Sequence, residues 1–587
     1  MLPELEYFNS FDGCKLVYRN WPSKKKTDNW VVLFHRGHEH SGRQAELAEF
    51  FSDKGYNVFA WDARGNGESE GERDAAESFS VLIRDANLFI EHLANKHRLK
   101  TENLAVVGNS LGALVASGWV HDYAPNIRAL VLAAPAFRIK LYMPFAIPLL
   151  RLARKLGVMN RVTSYVKSKV LTHDRAQQKS FNEDPLISKG IATDLLIDTY
   201  DTGTRLLADA GAITVPTLML CAGNDWVVKN KPQRDFYLKL NSGWKEWQYY
   251  PDFFHAIFHE DHRNLAFERS LDFVQRAFEK PIQQPDYLDQ DKQGYSRDQQ
   301  DALKFLGPRL DYWFTRLVFK YIGPLSKGIK ISQQHGFDSG SSLDHVYENT
   351  PQGTGAIGKL IDQTYLSSPG WVGIRQRKEF LDQLLDKYSA EAATREAELK
   401  VLDIACGNGR YMIDFATRVQ TNHSLPVTIE LRDYVQHNLT QSQSYAQNKG
   451  LNESEAVTFL YVQEDAFVEQ SYQVEKQFDV IVISGLLELE SDNSKALVAL
   501  AGAANQLKDN GYLIYTNQPW HPQLEFIGAV LDKHSGEPWQ MRPRIQAEMD
   551  ALVAHVGLHK LEMLIDTQGI FTVSVAQKMS SVKSAKA

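Results

Sequence analysis

A serine, an aspartate and a histidine in the first half of the chain have the order of a nucleophilic triad. Ser110 lies in Gly108-Asn-Ser-Leu-Gly112, after the apolar run Leu104–Val107 and before a helical run. A serine on a strained strand-to-helix turn projects its hydroxyl, and flanking glycines let backbone approach closely. Asp225 and His255 follow, each just beyond a predicted strand. The pattern predicts acyl transfer, with Ser110 as nucleophile, His255 as general base and Asp225 orienting the imidazole.

Each triad partner also has an ordinary structural explanation. Asp225 follows Gly223 and Asn224, as a turn residue does, and His255 is compatible with a surface loop. Their joint occurrence in the order Ser, Asp, His favours the triad.

A glycine loop in the second half predicts a ligand site. Residues 399–410, Leu-Lys-Val-Leu-Asp-Ile-Ala-Cys-Gly-Asn-Gly-Arg, have the pattern of a strand followed by a loop, and a helical run begins at Tyr411. Glycines at the carboxyl end of a strand let a flexible ligand lie against backbone. A dinucleotide loop needs a third glycine, and Met412 at that position is too bulky beside a pyrophosphate. The loop therefore favours another ligand.

The elements that position the triad alternate between short apolar runs and helical patterns from Val31 to about Phe278. This alternation predicts an α/β fold with a largely parallel sheet covered on both faces. Between Phe137 and Ile213 the strand pattern stops and the sequence becomes helical, which indicates an insertion. The predicted strands include Val31–Phe34, Val58–Trp61, Leu104–Val107, Ala129–Leu132, Thr217–Leu220 and Trp247–Tyr250.

The composition changes after Phe278. Residues 281–300 are rich in Gln and Asp with little apolar content, which predicts a linker. Residues 301–398 are mostly helical in pattern, and a second alternation of strands and helices begins near Leu399. We therefore expect a first domain at 1–280, a linker at 281–300, and a second α/β domain at 301–587 with a helical extension at 301–398.

Bulk properties exclude several classes. The 587 residues exceed one hydrophobic core, and the net charge of −7 argues against a general affinity for nucleic acid. Cys14, Cys221 and Cys406 form neither a disulfide framework nor a zinc spacing, so we expect no metal site and a reducing compartment. The N-terminus has no secretory pattern, and the apolar run Leu141–Leu150 is too short for a bilayer. We expect a cytoplasmic location, and peripheral contact at the inner membrane is an expectation that depends on the insertion described below.

Two motifs carry a resemblance over about residues 5–278. His35-Arg-Gly-His-Glu-His-Ser-Gly-Arg43 and Asp62-Ala-Arg-Gly-Asn-Gly-Glu-Ser69 resemble the signatures of monoacylglycerol lipases and lysophospholipases. The resemblance implies an α/β-hydrolase fold and an acyl ester substrate such as a monoacylglycerol or lysophospholipid. It also implies an oxyanion hole formed by the backbone N–H groups of Gly37 and Leu111.

The motifs depart from the family at three positions. Arg36 stands where the family has glycine, and Asn66 and Asn109 stand where it has histidines. No departure removes a triad member, so they bear on substrate preference.

The insertion at about 137–213 has the position of the lid in these enzymes. Its first part interleaves bulky apolar residues with basic ones, and such segments bind anionic membrane surfaces. A helix packed on the core with solvated charges explains the pattern equally well, so both interpretations stay open. The basic residues are Arg138, Lys140, Arg151, Arg154 and Lys155.

The glycine loop resembles motif I of class I methyltransferases, with Ala405 at its first glycine. The resemblance implies that S-adenosylmethionine binds the loop and that an acidic residue after the second strand, Val427–Leu431, binds the ribose hydroxyls. Asp433 has the better spacing for that role, and Glu430 is the competitor. The implied cofactor-binding residues are Asp403, Ala405, Gly407, Gly409, Asp433, Asp465, Ala466 and Ser484.

Residues 305–578 also resemble a bacterial family in which such a methyltransferase is fused behind an α/β-hydrolase. The resemblance carries no methyl acceptor with it. Trp371, Arg375, Trp520 and His521 are candidates for an acceptor pocket, although the tryptophans are equally compatible with core and Arg375 with a structural ion pair. The motifs that carry the resemblance are Gly336–Gly340, Gly373–Arg377, Asn517–Gln523 and Gly569–Ser574.

Together these patterns predict a bifunctional enzyme. The alternative is a hydrolase regulated by a second half that binds S-adenosylmethionine without catalysis. A scaffold with two inactive sites fits poorly with an intact triad.

Overall fold

The computed structural model describes residues 2–580 except 282–283, 305–308, 338, 423–424, 452–453, 455, 474–476 and 533–535, and it omits the side chains of 421–422. The chain divides into two units, the first ending at Pro285 and the second beginning at Asp286.

In the described part of the first unit, eight strands form one sheet in the order β1-β2-β4-β3-β5-β6-β9-β10. The six strands from β4 to β10 in this order are parallel, and β2 pairs with β4 in antiparallel register. The strands are β1 Leu5–Asn9, β2 Lys15–Trp21, β3 Trp30–Phe34, β4 Asn57–Asp62, β5 Leu104–Asn109, β6 Ala129–Ala133, β7 Arg161–Thr163, β8 Gly190–Ala192, β9 Thr217–Ala222 and β10 Lys245–Tyr250.

Helices cover both faces of this sheet, so β5, β6 and β9 are buried along their whole length. Continuous apolar runs are what a parallel strand covered on two sides requires. The α/β prediction for this half is confirmed. The helices are α1 Ala45–Asp53, α2 Phe79–His97, α3 Leu111–Tyr123, α4 Ala146–Lys155, α5 Arg175–Glu183, α6 Thr193–Ala208, α7 Asn230–Lys239 and α8 Asn264–Glu279.

The insertion lies between β6 and β9 and contains α4, α5 and α6. It also contains β7 and β8, which pair with each other in antiparallel register. The sequence pattern predicted helices alone here. Strands of three residues are too short to give an alternating pattern, so their pairing is set by tertiary contact.

In the described part of the second unit, seven strands form a sheet in the order β13-β12-β11-β14-β15-β17-β16. The first five are parallel, and β17 is antiparallel to both of its neighbours. The strand order reverses between β11 and β14, which is where open α/β sheets bind ligands. The strands are β11 Leu399–Ile404, β12 Val427–Asp433, β13 Val457–Gln463, β14 Phe478–Ile483, β15 Leu507–Asn517, β16 Leu558–Ile565 and β17 Thr572–Lys578.

Two apolar clusters pack on the opposite faces of this sheet, and a third combines residues of the preceding helices with residues of 527–541 and 570–571. No helix in the described ranges is both long enough and apolar enough to cross a bilayer. The helices are α9 Tyr295–Lys304, α10 Leu310–Tyr321, α11 Lys327–His335, α12 Gly340–Glu348, α13 Gly355–Leu366, α14 Pro369–Ala393, α15 Arg410–Asn422, α16 Gln436–Asn448, α17 Asn493–Gln506, α18 Leu524–Val530 and α19 Gln546–His555.

The segment 281–300 differs from the predicted linker. Residues 282–283 lie outside the described residues, but from Asp286 onward the segment packs on the second unit. The Asp291 carboxylate accepts the Asn493 N–H at the start of α17 at 2.9 Å. The Ser296 hydroxyl in α9 donates to Glu548 at 2.9 Å. The segment also buries Tyr287 and packs Leu288 against the second unit, but two apolar side chains among many polar ones leave the composition like that of a linker.

A prediction concerns Gly112, the first-turn residue of α3. A Cβ at Gly112 would overlap the carbonyl oxygens of Phe34 and His35. Overpacking costs about 1–3 kcal/mol, and these backbone atoms cannot rotate away, so Gly112→Ala should lower the free energy of unfolding by about 3 kcal/mol. Gly243→Ala is the control, since its Cβ would meet no atom within 4 Å. Calorimetric unfolding of the full chain measures both, and equal stability of the two variants would contradict this explanation.

Candidate active sites

The nucleophile turn of the first unit connects β5 to α3. Ser110 has φ 53° and ψ −110°, a backbone conformation that L residues rarely adopt. A Cβ at Gly108 would come within 2.6 Å of the Ala113 Cα, so both glycines of the motif are needed for close packing. The turn places the Ser110 hydroxyl at the carboxyl edge of the sheet.

The three predicted triad residues meet at that edge. Ser110 Oγ and His255 Nε2 are 2.8 Å apart, and His255 Nδ1 lies 2.8 Å from Asp225 Oδ2. All three residues are buried, Ser110 the least with 7% of its surface exposed. This is the geometry in which a histidine takes the serine proton while an aspartate holds the imidazole.

The loop after β9 holds the Asp225 carboxylate in place. Asp225 Oδ1 accepts the backbone N–H groups of Val227 at 2.7 Å and Val228 at 2.8 Å. Lys140 in the insertion donates to the Asp225 carbonyl oxygen. With Oδ1 occupied, Oδ2 is left to accept from His255 Nδ1–H, and this fixes the tautomer whose Nε2 accepts the serine proton.

The two residues predicted for the oxyanion hole lie beside each other. A Cβ at Gly37 would be 3.8 Å from the Leu111 side chain, and Leu111 opens α3 directly after Ser110. Among the described residues, neither backbone N–H donates a hydrogen bond within the protein. Two unpaired donors beside a nucleophile can stabilise a developing oxyanion.

Asp62 joins the two signature loops. Its carboxylate accepts the Ser41 N–H at 2.6 Å and the Glu68 N–H at 2.9 Å. His35 Nδ1 donates to the Arg36 carbonyl at 2.7 Å, and His35 Nε2 accepts the Ala63 N–H at 2.9 Å. Burial lowers the pKa of His35, consistent with this neutral form. Hydrogen bonds between the two signature segments therefore hold the loop that contains Gly37 in place.

Arg36, the departure from the family glycine, is buried in an ion-pair cluster. Its guanidinium lies 2.7 Å from the Glu39 carboxylate, which also pairs with Arg43 at 3.0 Å. Burial acts to raise the pKa of Glu39, but the neighbouring arginines hold it well below its ordinary value. Arg36 also stacks over Phe181 of α5 at 5.0 Å. Arg36 thus connects the loop that contains Gly37 to the insertion.

The other two departures differ in their surroundings. The Asn66 amide donates to Asp74 at 2.9 Å. Asn109 is buried beside the nucleophile, and its Oδ1 accepts no hydrogen bond from the described residues.

In the second unit, a cavity of about 620 Å³ lies at the carboxyl ends of β11, β12 and β14. A Cβ at Gly407 would meet no atom within 4 Å, so the backbone of the glycine loop faces open space. Ala405 has φ 60°, a left-handed conformation that explains why glycine is usual at this position. Seven of the eight predicted cofactor-binding residues line the cavity: Ala405, Gly407, Gly409, Asp433, Asp465, Ala466 and Ser484.

Asp433 rather than Glu430 faces this cavity. Its carboxylate accepts the N–H groups of Gly407 and Val435, each at 2.9 Å. Burial raises the pKa of Asp433 above its ordinary value, although these hydrogen bonds act to lower it. Glu430 points away and pairs with Arg432 at 2.7 Å.

The structure places Asp403 differently from the sequence expectation. Asp403 is fully buried beneath the cavity, and it accepts a hydrogen bond from the Tyr411 hydroxyl at 2.5 Å. Burial raises the pKa of this carboxyl well above its ordinary value. Tyr411 lines the cavity in its place. Asp403 therefore supports the cavity wall without reaching the ligand space.

Sequence reasoning missed much of the remaining wall. Arg377 lies in the motif Gly373–Arg377, which indicates family resemblance but no ligand contact. Residues of α12 gave no signal, since helical patterns alone do not indicate a site. Asp338 of the neighbouring motif lies outside the described residues. The missed wall residues with polar side chains include Asp344, Tyr347, Arg377, Asn408, Arg410, Asn438 and Glu490.

A second, mostly apolar cavity of about 410 Å³ adjoins the first. Of the four acceptor candidates, Trp371 and His521 line it. Trp520 packs against the surrounding apolar cluster, and Arg375 donates to the Leu366 carbonyl at 3.0 Å. Among the described residues, no group of three or more His, Cys, Asp or Glu side chains could hold a metal ion.

Fold and site together define a hydrolase unit followed by a methyltransferase-like unit. A family model described as "Serine aminopeptidase, S33" matches residues 25–262, and one described as "Putative methyltransferase" matches 270–578. The chain belongs to the latter family, and to that of the Escherichia coli K12 protein "Uncharacterized protein YnbC". The two are 43% identical over 583 residues, which is 98% of each chain. The predicted resemblance to a hydrolase–methyltransferase fusion is confirmed.

The first unit is related to monoglyceride lipases and phospholipases. It is similar to the "Monoacylglycerol lipase" of Mycolicibacterium smegmatis, with 24% identity over 44% of this chain and 93% of that protein. The "Phospholipase YtpA" of Bacillus subtilis is 24% identical over 42% of this chain and 94% of its own length. The crystal structure of Paleococcus ferrophilus monoacylglycerol lipase is 23% identical with a TM-score of 0.41, covering 45% of this chain and 99% of that one.

Proposed function

We propose that the protein is a bifunctional enzyme: a serine ester hydrolase acting on a monoacylglycerol or lysophospholipid, and an S-adenosylmethionine-dependent methyltransferase. The observation that carries the first activity is the Ser110–His255–Asp225 hydrogen-bond chain beside two N–H groups that have no hydrogen-bond partner among the described residues. The cavity that contains Asp433 and the glycine loop supports the second.

In the hydrolase unit, Ser110 attacks the ester carbonyl while His255 takes its proton. Asp225 stabilises the imidazolium, and the N–H groups of Gly37 and Leu111 bind the carbonyl oxygen as it becomes negative. His255 then protonates the departing alcohol, and water repeats the sequence to release the acid. The relative named a monoacylglycerol lipase supports an acyl ester with a single chain, and the relative named a phospholipase supports a lipid substrate.

In the second unit, the cavity of about 620 Å³ that is lined by the glycine loop and Asp433, here called the donor cavity, has residues that fit S-adenosylmethionine. The open space over Gly407 admits a ligand against backbone, and the Asp433 carboxylate can accept ribose hydroxyls. When bound, S-adenosylmethionine supplies an electrophilic methyl group. The adjoining cavity, with room for an acceptor, favours catalysis over a binding module that only regulates the hydrolase.

We also propose that the insertion at about 137–213 is a lid that contacts lipid. Phe145, Leu149, Leu152 and Leu156 follow the spacing of one helical face, and all four are exposed, Phe145 by 80%. Arg151 pairs with Asp201 at 2.5 Å and Arg154 with Asp194 at 2.7 Å. Since these arginines are already paired within the insertion, the apolar face is the better candidate for lipid contact than the basic one.

The first prediction tests the nucleophile. A fluorophosphonate probe should label the wild type and Ser117→Ala, a neighbouring helix serine, but not Ser110→Ala. Ester turnover should fall by about 10³-fold or more in Ser110→Ala, because triad members act as a unit. Labelling that persists in Ser110→Ala would refute the assignment.

The second prediction tests the lid. Phe145→Ser/Leu149→Ser/Leu156→Ser should reduce co-sedimentation with lipid vesicles at least about tenfold, since each buried apolar side chain contributes about 1.5–3 kcal/mol. Leu238→Ser/Leu265→Ser removes exposed leucines outside the insertion and should leave binding unchanged. Binding should also persist at high salt, whereas a basic contact would be screened. Unchanged sedimentation of the triple variant would end the proposal.

The third prediction tests the donor site by calorimetric titration of the full chain with S-adenosylmethionine. Gly407→Val should block binding, because its side chain would occupy the cavity. Gly450→Val is the matched control: its φ of 71° is similarly positive and its Cβ also meets no atom within 4 Å, but it does not line the cavity.

In the same titration, Asp433→Asn should weaken binding by at least about tenfold, as expected when hydrogen bonds to a charged group are lost. Glu430→Gln should change it much less. If Gly407→Val and Asp433→Asn both bind S-adenosylmethionine with wild-type affinity, the proposed methyl-donor site is wrong.

A further inference from the structure

The apolar cavity of the second unit has the size and walls of a small-molecule site. Its volume of about 410 Å³ lies in the range of about 300–1,000 Å³ usual for such sites. Its walls are mainly aromatic and aliphatic, with contributions from Phe319 in α10, Ile361 in α13, Trp371 in α14 and Phe526 in α18. Walls of this kind bind an apolar body and leave a strongly hydrated one unpaired.

One end of this cavity is shared with the donor cavity. Leu343, Arg377, Gly485 and Leu489 line both. Whatever occupies this end of the apolar cavity is therefore the part of the ligand next to the donor. The reacting atom of the acceptor belongs at this end and its apolar body at the other.

Beside the shared residue Arg377, one oxygen of a buried carboxylate accepts no hydrogen bond from the described residues. Glu488 lines the apolar cavity, and its Oε1 lies 3.2 Å from Arg377 Nη1. Its Oε2 is buried without a hydrogen-bond partner among the described residues, and the side chain is 4% exposed. Leaving a buried acceptor unpaired is unfavourable, so a ligand that donates an O–H or N–H bond would be selected here.

His521 adds a complementary donor to the same cavity. Its Nδ1 accepts the Gln523 N–H at 3.0 Å. Burial lowers the pKa of His521 to about 3, so the ring is neutral and its proton resides on Nε2. The cavity wall therefore offers an unpaired acceptor at Glu488 and an N–H donor at His521 to a polar ligand head.

The helices that wall the cavity also present apolar side chains outward. Trp313 and Phe314 in α10 are 62% and 63% exposed, and Ile357 and Leu360 in α13 are exposed to a similar extent. Exposed apolar groups on this scale mark a surface that contacts other apolar matter. Because the same two helices contribute cavity walls, a lipid layer is the source that fits this surface.

We infer that the methyl acceptor is a single-chain amphiphile drawn from a lipid layer, whose apolar body fills this cavity and whose hydroxyl or amino head faces Glu488. The inference rests on the proposed methyltransferase function. The oxygen or nitrogen of the head forms a bond to the donor's methyl carbon while the carbon–sulfur bond breaks. The electron pair of that bond goes to sulfur, and the head's proton goes to the Glu488 carboxylate.

The binding test uses 1-dodecylglycerol, an ether that the hydrolase unit cannot cleave. The full chain is first labelled at Ser110 with a fluorophosphonate, so that the hydrolase site is blocked. Calorimetry should show binding to this protein. Ile361→Trp, which fills the cavity, should abolish it, and Glu488→Gln should weaken it at least about tenfold. Dodecyl methyl ether, which has no donor, should bind at least tenfold more weakly.

S-adenosylmethionine is titrated into each variant in parallel. If the methyl donor binds but 1-dodecylglycerol does not, or if its binding is unaffected by Ile361→Trp and Glu488→Gln, the inference is wrong and the proposed function stands. If the methyl donor itself does not bind to the wild type, the proposed function fails.

The source of the acceptor is tested with a tritiated methyl donor and total lipid vesicles. Label should enter the organic phase, and Trp313→Ser/Phe314→Ser should lower its rate for vesicle-embedded lipid but not for 1-dodecylglycerol dispersed in detergent. Label confined to water-soluble compounds would overturn the assignment of the acceptor as an amphiphile. If Trp313→Ser/Phe314→Ser lowers the methylation rate equally for vesicle-embedded lipid and for detergent-dispersed 1-dodecylglycerol, the proposed contact with a lipid layer is wrong.

Discussion

Both units depend on how sharply the backbone can turn where a parallel strand ends. A strand buried on two sides must leave the sheet at its carboxyl edge and enter a helix that packs back on the same sheet. In the first unit this turn imposes a positive φ on Ser110, and in the second it imposes positive φ on Ala405, Gly407 and Gly409. This backbone conformation restricts which residues these positions accept. It also leaves open space next to the turn, and each candidate site lies in that space.

The sheet order then decides which residues can meet. In the first unit, Ser110 follows β5, Asp225 follows β9 and His255 follows β10, and β6 alone separates β5 from β9. Because these strands are parallel, all three loops leave at one edge. In the second unit, β11 lies between β12 and β14, so the glycine loop, Asp433 and Ser484 converge at the point of strand reversal.

The parts of both sites that lie on these turns were predictable from sequence, because the turn constrains residue type. Glycine is required where a Cβ would strike backbone, and a triad requires one chain order. Arg377 and Glu488 were not predictable, since they reach their cavities from a helix and from the loop after β14, where no residue type is imposed. Asp403 shows the converse: its motif position is conspicuous, but its side chain is buried under Tyr411.

Polar packing misled the sequence interpretation in one further place. The segment from Asp286 to Gln300 has the composition of a linker, yet its carboxylates and hydroxyls satisfy backbone N–H groups and side chains of the second unit. Hydrophobic periodicity detects elements that bury apolar faces and is insensitive to those attached by hydrogen bonds. The short strands β7 and β8 were not predicted from the sequence because three residues are too few to show an alternating pattern.

The wall shared by the two cavities of the second unit has a thermodynamic consequence. Arg377 contacts both spaces while its guanidinium is paired with Glu488. A ligand in either space that changes the orientation of this guanidinium changes the affinity of the other space. Thermodynamic linkage requires the effect to be equal in both directions. If the first ligand changes the affinity for the second by some factor, the second changes the affinity for the first by the same factor. The total binding free energy of the two ligands is the same whichever binds first, and the contacts of Arg377 decide only how strongly each ligand favours or disfavours the other.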